Sequence, residues 1–126
     1  LQIEAGKNAM AGNFAVAIQQ YTQILAVDGD NTDAYLQRSL MYRELGDTTK
    51  SQTDAAIALD LLQRKFAQGQ QKPALYRQRA NAYRLLKKFP ESKADMETAI
   101  RMSNSNKWVP DLQAIYLEEK MYVSNK

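Results

Sequence analysis

A chain of 126 residues with 44% hydrophobic and 25% charged side chains has the proportions of one soluble globular domain, neither disordered nor fibrous. Histidine and cysteine are both absent, which excludes disulfides, zinc held by thiolate or imidazole, and Ser or Cys nucleophiles activated by imidazole; no metal or cofactor is expected. The net charge of +3 divides unevenly, with 4 basic and 8 acidic side chains in residues 1–63 (net −4) and 13 and 6 in residues 64–126 (net +7).

Residues 1–11 read as a short helix stopped by Gly12. From Phe14 to Val27, a stripe of Phe14, Ala17, Ile18, Tyr21, Ile24 and Leu25 predicts a second helix packed antiparallel to it. The segment Asp28-Gly29-Asp30-Asn31-Thr32 breaks the pattern, and Asn31 or Thr32 can cap the helix that follows. That third helix runs from Asp33 to Leu45 and ends at Gly46. Nothing interrupts the fourth between about Thr49 and Gln68.

Pro73 opens a fifth helix that lasts to about Lys88, and Pro90 opens a sixth that reaches the Ser103-Asn104-Ser105-Asn106 turn; both prolines stand where a helix has no internal use for an N–H. A seventh, from about Pro110 to Val123, carries Leu112, Ile115, Tyr116, Glu119 and Tyr122 and has the mixed character of an end helix. Trp108 is expected to anchor its entrance by packing, with membership of a binding patch as the alternative.

The chain repeats itself. At a separation of 41, Tyr35 matches Tyr76, Arg38 matches Arg79, Ser39 matches Ala80, Tyr42 matches Tyr83, Ser51 matches Ser92, Asp54 matches Asp95 and Ala58 matches Ala99. At a separation of 34, Gly12 matches Gly46, Ala17 matches Ser51 and Ile24 matches Ala58. The difference of seven residues is close to two helical turns, so an insertion in the fourth helix lengthens it by about 10 Å without rotating its buried face. Such an insertion is either tolerated packing or a projecting element that carries Arg64, Lys65 and Phe66 to a partner.

A period of 34 with two helices per period resembles the tetratricopeptide repeat family. Tyr35, Ser39 and Tyr42, then Tyr76, Ala80 and Tyr83, stand in the family's aromatic, small and aromatic slots of a first helix. Ala17 with Tyr21, and Ser92 with Met96, fill the small and larger slots of the second. The resemblance implies an all-α fold, a right-handed superhelix of antiparallel helix pairs (an α–α solenoid) with about seven helices. It implies a single domain over 1–126: repeats at about 1–31, 32–72 and 73–106, then a capping helix at about 108–123. Glu4, Asn8, Gly29 and Ala55 depart from the family's pattern, and the Leu1–Ala11 helix is expected either to fray or to act as an end cap.

In this family first helices line a concave groove, and the resemblance implies that a partner peptide lies there. The groove residues it implies are Leu36, Gln37, Leu40 and Arg43 on one first helix and Arg77, Gln78, Asn81 and Arg84 on the next, each set spaced to share a face. Arg77 and Asn81 also resemble the basic residue and asparagine with which some members clamp a terminal carboxylate, but Leu36, Leu40 and Leu112 stand where that clamp needs polar partners. The expected function is a non-catalytic protein-interaction scaffold that takes an acidic or amphipathic peptide segment. Self-association is the alternative; nucleic-acid binding by the basic half is the further one, weakened by the lack of a reader motif. Arg38 with Asp54, and Arg79 with Asp95, read as structural pairs which, if exposed, contribute only about 0–1 kcal/mol each.

Among the groups left for catalysis, Glu118 and Glu119 point about 100° apart on a helix and read as a solvated face. Lys87-Lys88 reads as turn solvation. No run approaches the roughly 20 apolar residues of a membrane-spanning helix, no leader precedes a cleavage site, and no Asn-x-Ser/Thr sequon is present, so no membrane insertion is expected. These absences constrain the compartment little, and a cytoplasmic location is slightly favoured. The start at Leu1 reads as a trimmed or processed fragment, which keeps an exported one in view.

Overall fold

The computed structural model describes residues 1–125, and over that span the chain forms helices without strands: α1 (Gln2–Met10), α2 (Phe14–Val27), α3 (Thr32–Glu44), α4 (Thr48–Ala67), α5 (Pro73–Leu85), α6 (Phe89–Ser103) and α7 (Val109–Ser124). Connections of three to five residues turn each helix back on the one before. The chain divides into two compact units, the first Leu1–Leu61 and the second beginning at Leu62. No helix among the described residues is long and apolar enough to cross a membrane.

The first unit holds α1, α2, α3 and most of α4. Its core is Ala5, Ala17, Tyr21, Ala34 and Met41, with Phe14, Ile18, Ile24 and Leu25 packed against it. Side-chain size explains the arrangement, because two helix backbones approach closely only where both present a small residue. Ala5 meets that need on α1 and Ala17 on α2; Ser39 on α3 and Ser51 on α4 repeat it, all essentially inaccessible to solvent. The Ser39 hydroxyl satisfies itself in that dry crossing by donating to the Ser51 carbonyl at 2.6 Å. Asn8, polar where an apolar residue was expected, donates to Gln20 Oε1 at 2.8 Å, so α1 packs on α2 without a stranded amide.

The second unit holds the end of α4 with α5, α6 and α7. Ala80, Phe89, Met96 and Ile115 form its core, joined by Ile100, Trp108, Leu112 and Tyr122. Each large apolar side chain taken from water here contributes roughly 1.5–3 kcal/mol. Ala80 and Ser92 stand at the α5–α6 crossing, and the Ser92 hydroxyl donates to the Ala80 carbonyl at 2.7 Å. Trp108 packs into this core, as its position before α7 predicted. Phe66, in the lengthened part of α4, packs its ring on Tyr76 at 4.9 Å and beneath the Arg79 guanidinium at 4.0 Å. The extension is therefore packing at Phe66; Arg64 on its other side is exposed.

One backbone motif ends α1, α3 and α5. Gly12 (φ 81°), Gly46 (φ 82°) and Lys87 (φ 63°) adopt left-handed geometry, and the following N–H donates to the carbonyl five residues back, at Asn8, Tyr42 and Tyr83. Lys87 occupies a glycine position. Its strain is a local cost that the surrounding helices hold in place. Asn31 caps α3 by accepting from the Ala34 N–H at 3.0 Å, and Asp47 caps α4 through the Lys50 N–H at 3.1 Å.

Candidate functional site

Three sets of polar side chains decide what the surfaces can do. The first is buried and repeated. Arg38 on α3 donates from Nε and Nη2 to both oxygens of Asp54 on α4, each at 2.8 Å, and from Nη1 to Thr22 Oγ1 on α2 at 3.1 Å. Arg79 on α5 does the same to Asp95 on α6, at 2.7 and 2.9 Å, and to Gln63 Oε1 on α4 at 2.9 Å. In each case the arginine lies 16 residues from both partners, so one guanidinium ties three consecutive helices. Asp54 and Asp95 are only 3% and 6% exposed. The hydrogen bonds to these carboxylates hold Arg38 and Arg79 above the ordinary arginine range, against the opposing effect of burial. The carboxylates are thus buried where the sequence reading weighed an exposed pair.

The second set joins α5 and α6 to α7. Arg77 Nε donates to Asp111 Oδ2 at 3.1 Å while its guanidinium lies 5.4 Å from the Trp108 ring centre; Arg84 Nε donates to Glu118 Oε2. Lys93 Nζ donates to Glu119 Oε1 at 2.9 Å, and that bond holds the ammonium above the ordinary lysine range. Glu118 and Glu119 therefore do not form a solvated face. Because adjacent helical residues diverge by about 100°, one reaches α5 and the other α6.

The third set surrounds a solvent-open cavity of about 410 Å³ on the first unit, between α1 and α3. Ala9, Met10, Leu40 and Met41 give it apolar walls, and Gln2, Asp33 and Gln37 bring polar groups to it. Gln2 Nε2 donates to Asp33 Oδ2 at 2.9 Å. Tyr21 also lines the cavity, and burial, then the nearby Asp33 charge, push its hydroxyl above the usual tyrosine range. Gly6 lines one wall, where a Cβ would meet nothing within 4 Å.

The residues singled out from the sequence fall into different surroundings. Gln37 and Leu40 border the cavity. Leu36 is buried beneath the α3 surface at 5% exposure. Arg43 lies 4.0 Å from Glu44. Arg77 and Arg84 are the two held by α7. Gln78 is half-buried, with its Oε1 enclosed and accepting no hydrogen bond, and Asn81 is half-buried beside it on α5. The sequence reading missed Gln2, Asp33 and Tyr21 at the cavity, and it missed Asp111 and Glu118. A signal for the last two existed, since each stands 34 residues after its arginine, one repeat further on. Among the described residues no group of three or more carboxylates gathers as a metal site.

Fold and sites together define a helical-repeat protein with the tetratricopeptide repeat fold. Solved structures of that fold align with nearly the whole chain. The first TPR domain of human RPAP3 matches at 21% identity over 99% of this chain and 94% of that one, with a TM-score of 0.62. The first TPR of Spaghetti (RPAP3), bound to the HSP90 peptide SRMEEVD, matches at 23% identity over 92% and 87%, with a TM-score of 0.58. The second TPR domain of human RPAP3, in complex with the HSP70 peptide SGPTIEEVD, matches at 24% over 90% and 89%, with a TM-score of 0.55. No protein-family model matches the chain.

Proposed function

We propose that the protein is a non-catalytic interaction scaffold that binds an amphipathic segment of a partner protein on its first-helix surfaces. The observation that carries this reading is the α1–α3 cavity, an apolar hollow edged by amides and a carboxylate on a first-helix face, which is the mixture that peptide recognition uses. Two domains of the same fold are seen with chaperone peptides, which supports a peptide as ligand here. A strongly acidic peptide would have to displace Asp111 and Glu118 from Arg77 and Arg84, so an amphipathic segment suits these surfaces better.

Affinity capture with wild type and a Gln37→Ala/Leu40→Ala variant tests the reading. These substitutions keep the Arg–Asp pairs and the α7 contacts, so the fold is expected to persist by circular dichroism. A captured partner protein should be lost from the variant. Equal capture, with equal affinity, refutes the surface assignment.

Self-association is a second reading, favoured by α7. Its outer side carries Pro110, Ala114, Leu117 and Met121 at i, i+4, i+7 and i+11, and Leu117 and Met121 are 58% and 56% exposed. The opposite side, through Ile115, packs into the core, so this helix is apolar on two faces. Sedimentation at rising concentration should show a dimer that Leu117→Lys returns to monomer; a wild-type monomer throughout refutes it. Nucleic-acid binding is disfavoured, because four cations of the second unit, Arg77, Arg79, Arg84 and Lys93, already hold carboxylates.

A further inference from the structure

We infer that the α1–α3 cavity receives a basic side chain, lysine or arginine, from the segment that the scaffold binds. The inference rests on the partner-binding reading and names the chemistry of one of its contacts.

Asp33 supplies the charge. An ionised carboxylate offers about four acceptor directions, and here the amide of Gln2 takes one. No cation among the described residues pairs with Asp33. The first unit carries a net charge of −4, and three of its four basic side chains, Arg38, Arg43 and Lys50, already lie within 4.0 Å of carboxylates of their own. The fourth, Lys7, does not line the cavity. A guanidinium or ammonium brought by a partner therefore finds a carboxylate, beside the polar residue Gln37, and displaces no internal ion pair.

The walls supply the rest. Lysine and arginine carry three- to four-carbon stems that gain from lying along apolar surface while the charged end meets an acceptor. Ala9, Leu40 and the two flexible methionines, Met10 and Met41, provide that surface. A carboxylate-bearing side chain placed here would face Asp33, and like charges in a partly enclosed site repel. A purely apolar side chain would take the walls and leave Asp33 desolvated without a cation.

Two substitutions separate charge from shape. Asp33→Asn removes the charge at nearly constant size. Gly6→Leu adds bulk at a residue that lines the cavity, where a Cβ meets nothing within 4 Å. The probes are Nα-acetyl-arginine methylamide, its uncharged near-isostere Nα-acetyl-citrulline methylamide, and Nα-acetyl-glutamate methylamide, titrated into the whole chain and followed by amide NMR shifts. The arginine probe should shift the amides of Gly6, Ala9, Gln37 and Leu40 and bind at least tenfold more tightly than the citrulline probe. Asp33→Asn should bring arginine down to the citrulline level, and Gly6→Leu should abolish both, each variant keeping the wild-type pattern of shifts in the second unit. Equal binding of arginine and citrulline, preference for glutamate, or an arginine affinity unchanged in Asp33→Asn overturns the assignment. A captured partner that binds Asp33→Asn as well as wild type also overturns it while the scaffold reading stands; arginine-selective binding with no partner affected by the surface variant does the reverse.

Discussion

Replacing Arg79 with methionine tests the principal structural claim, that one guanidinium ties α4, α5 and α6 together. Methionine keeps an apolar stem beside the Phe66 ring and deletes two bonds to Asp95 and one to Gln63. The main cost is what remains behind, a carboxylate on a residue only 6% exposed with its counter-ion gone. Removing one partner of a buried pair costs about 3–5 kcal/mol. The Arg79 side chain keeps 19% of its exposure, so water can reach part of the vacated space, and the expected loss is about 2–4 kcal/mol. Urea denaturation at pH 7 measures it, with midpoint and slope fitted separately. Asp95→Ala in the Arg79→Met background should then cost less than the two single changes added, by about 1–3 kcal/mol, because no stranded charge remains. A loss within about 0.5 kcal/mol for Arg79→Met, or strict additivity in the cycle, would show that the pair behaves as a solvated surface contact and that the three-helix tie is not a source of stability.

Lys87→Gly should stabilise the protein by about 0.5–1 kcal/mol: relief of roughly 1–2 kcal/mol of left-handed strain outweighs the extra unfolded-state entropy of glycine. A lower urea midpoint in that variant would contradict the strain reading of Lys87. Tyr21 gives a pH signature. Its folded form holds the phenolic proton more tightly than the unfolded chain does, so its contribution is intact below the unfolded value of 10.0 and is lost as pH rises from there through the folded one. Tyr21→Phe should therefore flatten the fall in stability as pH rises past about 10, by at most about 1.4 kcal/mol per pH unit. Identical pH slopes in the two proteins would mean that the hydroxyl is as solvated as in the unfolded chain.

The helices were legible because their signals are local. Gly12 and Gly46 mark stops, Pro73 and Pro90 mark starts, and small residues 12 apart mark the crossings, all properties of short stretches. The tie around Arg38 and Arg79 was half legible: recurrence at a spacing of 16 pointed to Asp54 and Asp95, while Thr22 and Gln63 share the spacing but not the residue type. Burial decided the energetics, and burial depends on what packs above a side chain, which spacing does not report. The cavity was the least legible feature. Gln37 and Leu40, singled out from the sequence, line it, but Asp33 sits in the first turn of α3 and reads from sequence as a carboxylate favoured at a helix N-terminus. Its second role needs α1, the helix with the weakest pattern, to bring Gln2 and Gly6 alongside.

The 34-residue spacing explains why the two units offer different chemistry. Asp111 follows Arg77, Ala114 follows Ala80 and Glu118 follows Arg84 by that interval, so α7 has the frame of another first helix even though it reads by composition as an end piece. Its carboxylates meet Arg77 and Arg84 of α5, so these two cations are paired from within the chain. In the first unit no such exchange occurs on α3 at Asp33, where the neighbouring α1 contributes only an amide. A charge pattern summed over each half, acidic then basic, suggests that anions are recruited by the second half. Pairing reverses that emphasis: the second unit spends Arg77 and Arg84 on its own fold, and the acceptor available to a partner's cation lies in the first.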